Sequence, residues 1–464
     1  MKFSPVRIPL NLLVASLSLV VAGLPDGWAA ERPPVDLEAG RRAFAQHCAR
    51  CHGEQGKGDG VDAKRFYPRP RDLSMGRYKF RSTESGTPPV DEDLFLTVTQ
   101  GLPGSNMPDW QHLDEATRWQ LVEYMKTLSP VFQDTQPVPV SLGADPGPQG
   151  ASPEKGKAVY EQLGCAACHG VQGRANGTSA AGLVDEWGMA IRPADLTQGW
   201  AYRGSSDPRA IALRVLSGID GSGMPSYAGA AAPEDVWQMA YYVHSLQEPP
   251  HWNMIAHAQP VDGALPSSPD DARWALAERT DVRLRNTVTP TGEWAAAPTV
   301  QAVSLQTVYN SDGIAFYLAW NDPTQDAGES SDRLAMVLKP TGAQGDVVSL
   351  HAWPYTGAPL LDVCAWSAST QQASERLAQD FDRALESPDG EAKLNSVAAY
   401  GDGRWHLVIQ RAFAPAAPEG AAVVAEQTFT PIAFAVWDGG NAGARAVSPW
   451  IDIALRKMDT PATH

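Results

Sequence analysis

The chain has 464 residues, 43% hydrophobic and 19% charged, which is the composition of folded material and the length of about three domains of roughly 150 residues. A formal charge of −16 and a pI near 5.0 exclude nucleic acid as a partner. The same acidity suits weak, salt-sensitive docking on a basic protein surface, and equally suits solubility alone.

At the N-terminus, Lys2 and Arg7 supply positive charge ahead of a short apolar core from Leu12 to Gly23, and Gly27-Trp-Ala-Ala30 offers small residues for cleavage. Residues 1–30 therefore read as an export signal. The apolar run falls short of the roughly 20 residues of a spanning helix. A periplasmic protein is expected, with an uncleaved anchor as the alternative.

Residues 31–132 and 153–250 read as two copies of one helical domain. In each, a helix (Asp36 to Cys51, Lys155 to Cys168) leads into a C-x-x-C-H unit: Cys48-Ala-Arg-Cys51-His52 and Cys165-Ala-Ala-Cys168-His169. In such a unit two thiols form thioethers to the vinyl groups of a haem, and the histidine reaches the iron as proximal ligand. Further along come Arg69-Pro70-Arg71-Asp72-Leu73 and Arg192-Pro193-Ala194-Asp195-Leu196, then Tyr78-Lys-Phe-Arg81 and Trp200-Ala-Tyr-Arg203. Each copy continues with an apolar helix (Leu94 to Val98; Ile211 to Leu216) and a glycine-rich loop. The loops are Gly101-Leu-Pro-Gly-Ser-Asn-Met107-Pro108 and Gly218-Ile-Asp-Gly-Ser-Gly-Met224-Pro225. An amphipathic helix closes each copy (Asp114 to Leu128; Pro233 to Leu246).

Met107 follows His52, and Met224 follows His169, by the same 55 positions (107 − 52 and 224 − 169). A thioether is a soft ligand for low-spin iron, and the duplicated context assigns Met107 and Met224 as sixth ligands. Met75, Met125, Met189 and Met239 read as core filler. The cofactor-binding set is thus Cys48, Cys51, His52, Met107, Cys165, Cys168, His169 and Met224, with His52, Met107, His169 and Met224 on the metals. With both axial positions filled no iron has an open coordination site, so no catalytic residue is assigned, and a peroxidase-type rival requires one iron to lose Met107 or Met224. Residues 133–152, within a Pro-, Gly-, Ser- and Ala-rich stretch, read as a linker.

Residues 251–464 change character. Strand signals at Val300–Tyr309, Gly313–Trp320, Leu334–Leu338, Trp405–Arg411 and Thr428–Trp437 predict an antiparallel β-sandwich, with a helical interruption from Gln371 to Leu385. Cys364, the one cysteine outside the haem motifs, reads as a small buried side chain.

The duplicated half resembles class I cytochrome c domains over residues 34–132 and 150–248, which implies two haem c groups with edges exposed for electron transfer. The run Val308-Tyr-Asn-Ser-Asp-Gly-Ile-Ala-Phe-Tyr-Leu-Ala-Trp320-Asn-Asp322, with Phe434-Ala-Val-Trp-Asp-Gly-Gly440 and Ala444-Arg-Ala-Val-Ser-Pro-Trp450, resembles the ethylbenzene dehydrogenase γ-subunit family over residues 260–458. That resemblance implies a carbohydrate-binding-like β-sandwich that carries haem b within type II molybdoenzymes. The family's methionine and lysine ligands fall here on Tyr355-Thr356-Gly357 and Arg445, and arginine does not ligate iron. The sandwich then serves as a docking scaffold, or binds haem b through His351, His406, Met336 or Cys364. Together the resemblances imply an electron-transfer subunit of a molybdopterin oxidoreductase complex of the nitrite oxidoreductase or nitrate reductase type. Its partners are a molybdopterin catalytic subunit, an iron–sulfur subunit, and a soluble cytochrome or membrane oxidase. The alternative is a free dihaem shuttle whose sandwich binds a glycan through Trp353, Trp366 and Trp405.

Overall fold

A computed structural model describes residues 32–66, 68–286, 300–340, 349–350, 358–385, 392–413, 421–425, 428–441 and 444–456. The export segment lies outside them. Among the described residues no helix is long and apolar enough to cross a membrane.

Asp36 caps α1 (Leu37–His47) by accepting the Ala39 N–H at 2.9 Å. The single helix expected from Asp36 to Cys51 breaks at Cys48, so α2 (Ala49–His52) is a separate turn that carries the C-x-x-C-H unit. Next come α3 (Asp91–Gln100) and α4 (Glu115–Thr127), the latter capped by Asp114 on Thr117. Two short helices, α5 (Val131–Asp134) and α6 (Gly147–Gly150), lie in the connecting stretch. The second copy repeats the order with α7 (Pro153–Gln162), α8 (Ala166–His169), α9 (Pro208–Ser217) and α10 (Pro233–Ser245). Ser152 and Asp207 cap α7 and α9, and Pro153, Pro208 and Pro233 stand where a helix start tolerates a missing N–H.

The first helix of each copy crosses the last through a glycine. A Cβ on Gly40 would sit 2.2 Å from the Gln120 carbonyl oxygen, and one on Gly156 would sit 2.3 Å from that of Gln238. No larger residue permits either crossing. Around it Phe44, Leu121 and Val122 fill the first core, and Tyr160, Val236, Trp237 and Ala240 the second, all at most 1% exposed. Burying a side chain of this size contributes roughly 1.5–3 kcal/mol.

The connecting stretch is not a free tether. Glu84 N–H donates to the Val138 carbonyl at 2.8 Å and Val140 N–H to that of Ser82 at 2.9 Å, which adds the chain to the first domain. The Trp237 indole N–H then holds the Leu142 carbonyl at 2.7 Å, and Tyr241 reaches Asp145 at 3.0 Å. It links the two copies as its composition suggests, and backbone pairing and a buried indole hold it to both.

The β-rich part contains β1 (Ile255–Pro260), β2 (Thr280–Arg283), β3 (Arg285–Asn286), β4 (Ala302–Tyr309), β5 (Gly313–Asn321), β6 (Arg333–Leu338), β7 (Leu361–Ser367), β8 (Gln372–Ala378), α11 (Phe381–Leu385), β9 (Ala392–Gly401), β10 (Arg404–Ala412), β11 (Phe429–Asp438), β12 (Ala444–Val447) and β13 (Ile451–Leu455). The expected sandwich is corrected. Ten strands close into one barrel, in the order β13-β1-β4-β5-β10-β9-β8-β7-β6-β11 and back to β13. Two strands make the closure by changing partner along their length. Ala392–Leu394 of β9 pair with β8 and Asn395–Gln410 contacts begin the pairing with β10; Ile255–Ala258 of β1 pair with β13 and Gln259–Pro260 with β4. Both pairings of β1 are parallel, so the domain is not purely antiparallel.

Inward-facing Phe316, Trp320, Met336, Cys364, Trp366, Trp405 and Phe434 fill the barrel. Outward-facing Ala335, Val337, Val363, Ala365 and Ala433 are also buried, beneath Phe381 of α11. The helix expected from Gln371 to Leu385 is therefore mostly strand β8, and only its end is α11. The spacing of Ala373, Leu377 and Ala378 suits a helix, but pairing on both sides, with β7 and β9, decides for strand.

Candidate functional site

The two C-x-x-C-H turns present their residues in the same way. Cys48 is 8% exposed, Cys51, Cys165 and Cys168 are half-buried, and none of the four is in a disulfide. Burial pushes the Cys48 thiol up to about 12 and that of Cys165 to about 11. His52 Nδ1 lies 2.9 Å from the Arg71 carbonyl oxygen, and His169 Nδ1 lies 2.9 Å from that of Ala194. A carbonyl only accepts, so each Nδ1 carries the proton and each Nε2 keeps its lone pair for a metal. Burial lowers the affinity of both imidazoles for a second proton, against the opposing effect of these bonds.

Arg71 and Ala194 hold the same place in the repeated R-P-x-D-L segments. The aspartate that follows fixes the carbonyl: Asp72 Oδ1 accepts from Ser74 N–H at 2.9 Å and its hydroxyl at 2.6 Å, and Asp195 Oδ1 accepts from Thr197 at the same two distances. The sequence showed the repeat, yet not this role, because a backbone acceptor leaves no mark on residue type.

The methionine loops are also congruent. Leu102 N–H donates to the Met107 carbonyl at 3.0 Å, Ser105 Oγ to Leu102 at 2.7 Å, and Met107 N–H to Ser105 Oγ at 3.1 Å. Ile219, Ser222 and Met224 make the same three bonds at 3.1, 2.7 and 3.3 Å. Met224 packs on the same core as Cys165, Ala166 and Val159, and Met107 is half-buried. Of the methionines read as filler, Met125 and Met239 are buried and Met189 is half-buried. Met75 is 55% exposed, which corrects that reading.

Each loop is held by the other copy. Arg81, 1% exposed, donates to the Ser217 carbonyl at 2.7 Å and to Asp220 Oδ1 at 3.0 Å, at the start of the Met224 loop. In return a Cβ on Gly104, in the Met107 loop, would lie 2.7 Å from the Ala201 carbonyl oxygen and 3.8 Å from Arg203 Cγ. Arg71 pairs with Glu186, and Arg77 lies 3.7 Å from the same carboxylate.

Residues around the first turn suit a large planar macrocycle with carboxylate edges. In the first copy, half-buried Ala49, Phe95, Trp110 and Leu113 form an apolar shelf on the core that includes Cys48 and Tyr78. The Tyr78 hydroxyl and the Trp110 indole N–H are buried without a hydrogen-bond partner among the described residues, so both remain available to a carboxylate.

The barrel places its candidates differently. Met336 and Cys364 are fully buried, His406 Nδ1 lies 2.7 Å from the Tyr317 hydroxyl, and the Arg445 guanidinium covers the Phe381 ring at 4.7 Å. His351, Trp353 and Tyr355-Thr356-Gly357 lie outside the described residues. Trp366 and Trp405, read as exposed glycan contacts, are each 1% exposed; packing against each other and Trp320 inside the barrel removes them from any surface. The barrel meets the second helical copy through Asn321, whose Nδ2 donates to Asp195 Oδ2 at 2.7 Å and Thr197 Oγ1 at 3.1 Å. Arg174 and Arg404 share Glu248 beside that contact, at 3.3 and 3.2 Å.

Residues 35–125 match the family described as cytochrome c oxidase, cbb3-type, subunit III, and residues 153–247 match the cytochrome c family. The chain is similar to the cbb3-type cytochrome c oxidase subunit CcoP of Azospirillum brasilense, with 28% identity over 214 residues, 45% of this chain and 62% of that protein. It is also similar to subunit FixP of Azorhizobium caulinodans, with 25% identity over 216 residues, 45% of this chain and 58% of that protein. It thus spans less than two thirds of the length of these relatives. Among solved structures, a chain of the reducing HAO-like protein complex of Kuenenia stuttgartiensis shares 38% identity, covering 47% of this chain and 100% of that one, with a TM-score of 0.44. A family 9 carbohydrate-binding module from Caldicellulosiruptor kristjanssonii shares 8% identity over 45% of this chain and 100% of its own, with a TM-score of 0.29.

Proposed function

We infer, from the premise that this chain contains two cytochrome c domains and binds haem c covalently in both, that it is an electron-transfer subunit without a substrate site of its own. When bound, haem supplies one-electron chemistry at iron. Cys48 and Cys51 would hold one group and Cys165 and Cys168 the other, each through two thioethers. His52 and His169 would give Nε2 to the irons, and Met107 and Met224 their sulfurs. The observation that carries this reading is the pair of equal Nδ1–carbonyl bonds, which set both imidazoles in the same tautomer for ligation. Low-spin spectra with a thioether-to-iron charge-transfer band for two haems per chain are expected. A high-spin resting component would refute the assignment of one methionine.

The chain works in the periplasm as a subunit of a molybdopterin oxidoreductase of the nitrite oxidoreductase or nitrate reductase type. The C-terminal resemblance to the ethylbenzene dehydrogenase γ-subunit family supports this partner, and the curated relatives' names, as oxidase subunits, support membership of a larger complex. The barrel would dock on the molybdopterin and iron–sulfur subunits, and the haem domains would pass electrons to or from a soluble cytochrome or membrane oxidase. The barrel acts as scaffold and not as a haem b carrier, since its interior is filled by indole rings and Arg445 replaces the lysine ligand. A pyridine haemochrome assay showing a b-type component would end the scaffold reading. Native purification with mass spectrometry and metal analysis tests the partner: molybdenum and two larger subunits are expected. A lone dihaem chain after mild crosslinking would favour the free shuttle.

A further inference from the structure

We propose that Asp322, Asp326, Asp332 and Asp438, with the Thr324 hydroxyl, form a calcium-type divalent cation site at the mouth of the barrel, where the barrel grips the second cytochrome c domain. Asp322, Asp332 and Asp438 are at most 1% exposed, and one oxygen from each lies within 4.8 Å of the others. Three buried carboxylates this close repel one another strongly unless protons or a cation intervene.

The hydrogen bonds around the cluster leave oxygens to spare. Asp332 accepts from Gly439 N–H at 2.9 Å, Asp326 N–H at 2.8 Å and the Trp405 indole at 3.0 Å, which orients it. Asp322 uses Oδ1 for the Thr324 N–H at 3.2 Å, while its Oδ2, on a side chain with no solvent exposure, meets no donor. Thr324 Oγ1 and Asp326 Oδ2 are likewise buried without a hydrogen-bond partner. These two atoms converge over the Cα of Gly440, where a Cβ would lie 2.5 Å from the first, 2.8 Å from the second and 3.2 Å from Arg192 Nη2. Carboxylates and a hydroxyl gathered from several segments are the oxygen donors that calcium takes in a flexible shell of six to eight.

A second buried acidic cluster in the same barrel supplies the contrast. Asp362 and Glu375 are also buried, with Cys364 beside them, but Arg411 enters between the carboxylates at 3.2 and 2.8 Å. That cluster has a guanidinium bonded directly to both carboxylates. At the barrel mouth Arg192 donates to the Gly440 carbonyl at 3.2 Å and offsets Asp438 in part.

The position gives the site a task. It would join the end of β5, the segment from Thr324 to Asp332 and the end of β11. The residue before Asp322 is Asn321, which holds Asp195, and Gly440 beside Asp438 holds Arg192. Both contacts fall on the R-P-x-D-L segment whose Ala194 carbonyl orients His169. A bound cation would therefore stiffen the seat of the second haem domain from the barrel side.

The haem-loaded full chain, dialysed against metal-free buffer, should retain or rebind about one calcium per chain by elemental analysis. At 100-fold excess over Kd, calcium should raise the Tm of the barrel transition by about 5–10 °C. Terbium should bind in its place and luminesce through Trp405. Asp326→Asn and Asp322→Asn should each abolish the calcium-dependent shift, and Asp326→Asn serves if Asp322→Asn does not fold. Absence of retained cation together with no calcium or terbium response in the parent chain would overturn the proposal. So would an undiminished response in Asp326→Asn, which would place the ion elsewhere.

Discussion

Replacing Arg81 by methionine keeps a long stem and removes the charge together with every N–H that joins the two cytochrome c domains at that point. The guanidinium donates to the Tyr78 carbonyl at 2.9 Å in its own domain, and to the Ser217 carbonyl at 2.7 Å and Asp220 at 3.0 Å in the other. Arg81 has no exposed side-chain surface and Asp220 is 17% exposed, so solvent screens the pair little. Removing one partner of a buried pair costs about 3–5 kcal/mol. Asp220 keeps the Ser85 hydroxyl at 2.7 Å, which points to the lower end, about 3 kcal/mol. Because Ser217 and Asp220 begin the loop that ends at Met224, the second haem should lose thioether ligation more readily when oxidised. Each tenfold shift in that preference moves its potential by about 59 mV, with the first haem less affected. Guanidinium unfolding and a spectroelectrochemical titration of Arg81→Met and Arg81→Lys read both effects, with the lysine variant intermediate. A midpoint within about 1 kcal/mol of the parent together with two unchanged potentials would refute the reasoning.

Other outcomes follow from the same geometry. Met107→His and Met224→His should each lower the potential of one haem and halve the thioether charge-transfer band in a redox titration; an unchanged band would show that the sulfur was never bound. Asn321→Ala should weaken barrel docking by about 1.5–3 kcal/mol, since it removes bonds to a buried carboxylate, and limited proteolysis should then cut between the domains faster. Asp362 is raised from 3.8 to about 7 by burial and by Glu375 beside it, against the pull of Arg411. A native state that binds the extra proton is favoured below the unfolded pKa and loses that advantage as pH rises through about 7. Urea midpoints for the barrel should therefore fall between pH 4 and pH 8, and Asp362→Asn should flatten the slope. Electron transfer to a basic partner should slow as salt is raised, as stopped-flow mixing would show.

Much of the helical half could be read from residue order, because haem attachment demands fixed residue types at fixed spacing and the duplication confirmed each motif against its copy. Three helix starts were equally legible, at Asp36, Asp114 and Pro233, while α7 and α9 begin at Pro153 and Pro208, ahead of the Lys155 and Ile211 expected. The Arg71 and Ala194 carbonyls were not, since their function belongs to the backbone. The barrel was half legible. Strands β4, β5, β6, β10 and β11 announce themselves by β-branched and aromatic runs. Strand β8 carries Ala373, Leu377 and Ala378 in a helical-looking spacing, and Glu375 faces inward because Arg411 waits there. Closure depends on β1 and β9 changing partners, which no local pattern records. The four aspartates of the barrel mouth come from positions 322, 326, 332 and 438, too scattered to suggest one another until the strands bring them together.

The strapped connection between the haem domains bears on kinetics. With Val138 and Val140 paired to the first domain, Leu142 under Trp237 in the second, and Arg81 spanning both, the gap between the two haems is set by folding and not by diffusion of tethered bodies. Passage of an electron from one to the other should then be independent of solvent viscosity. Glycerol would slow only the encounters at either end of the relay.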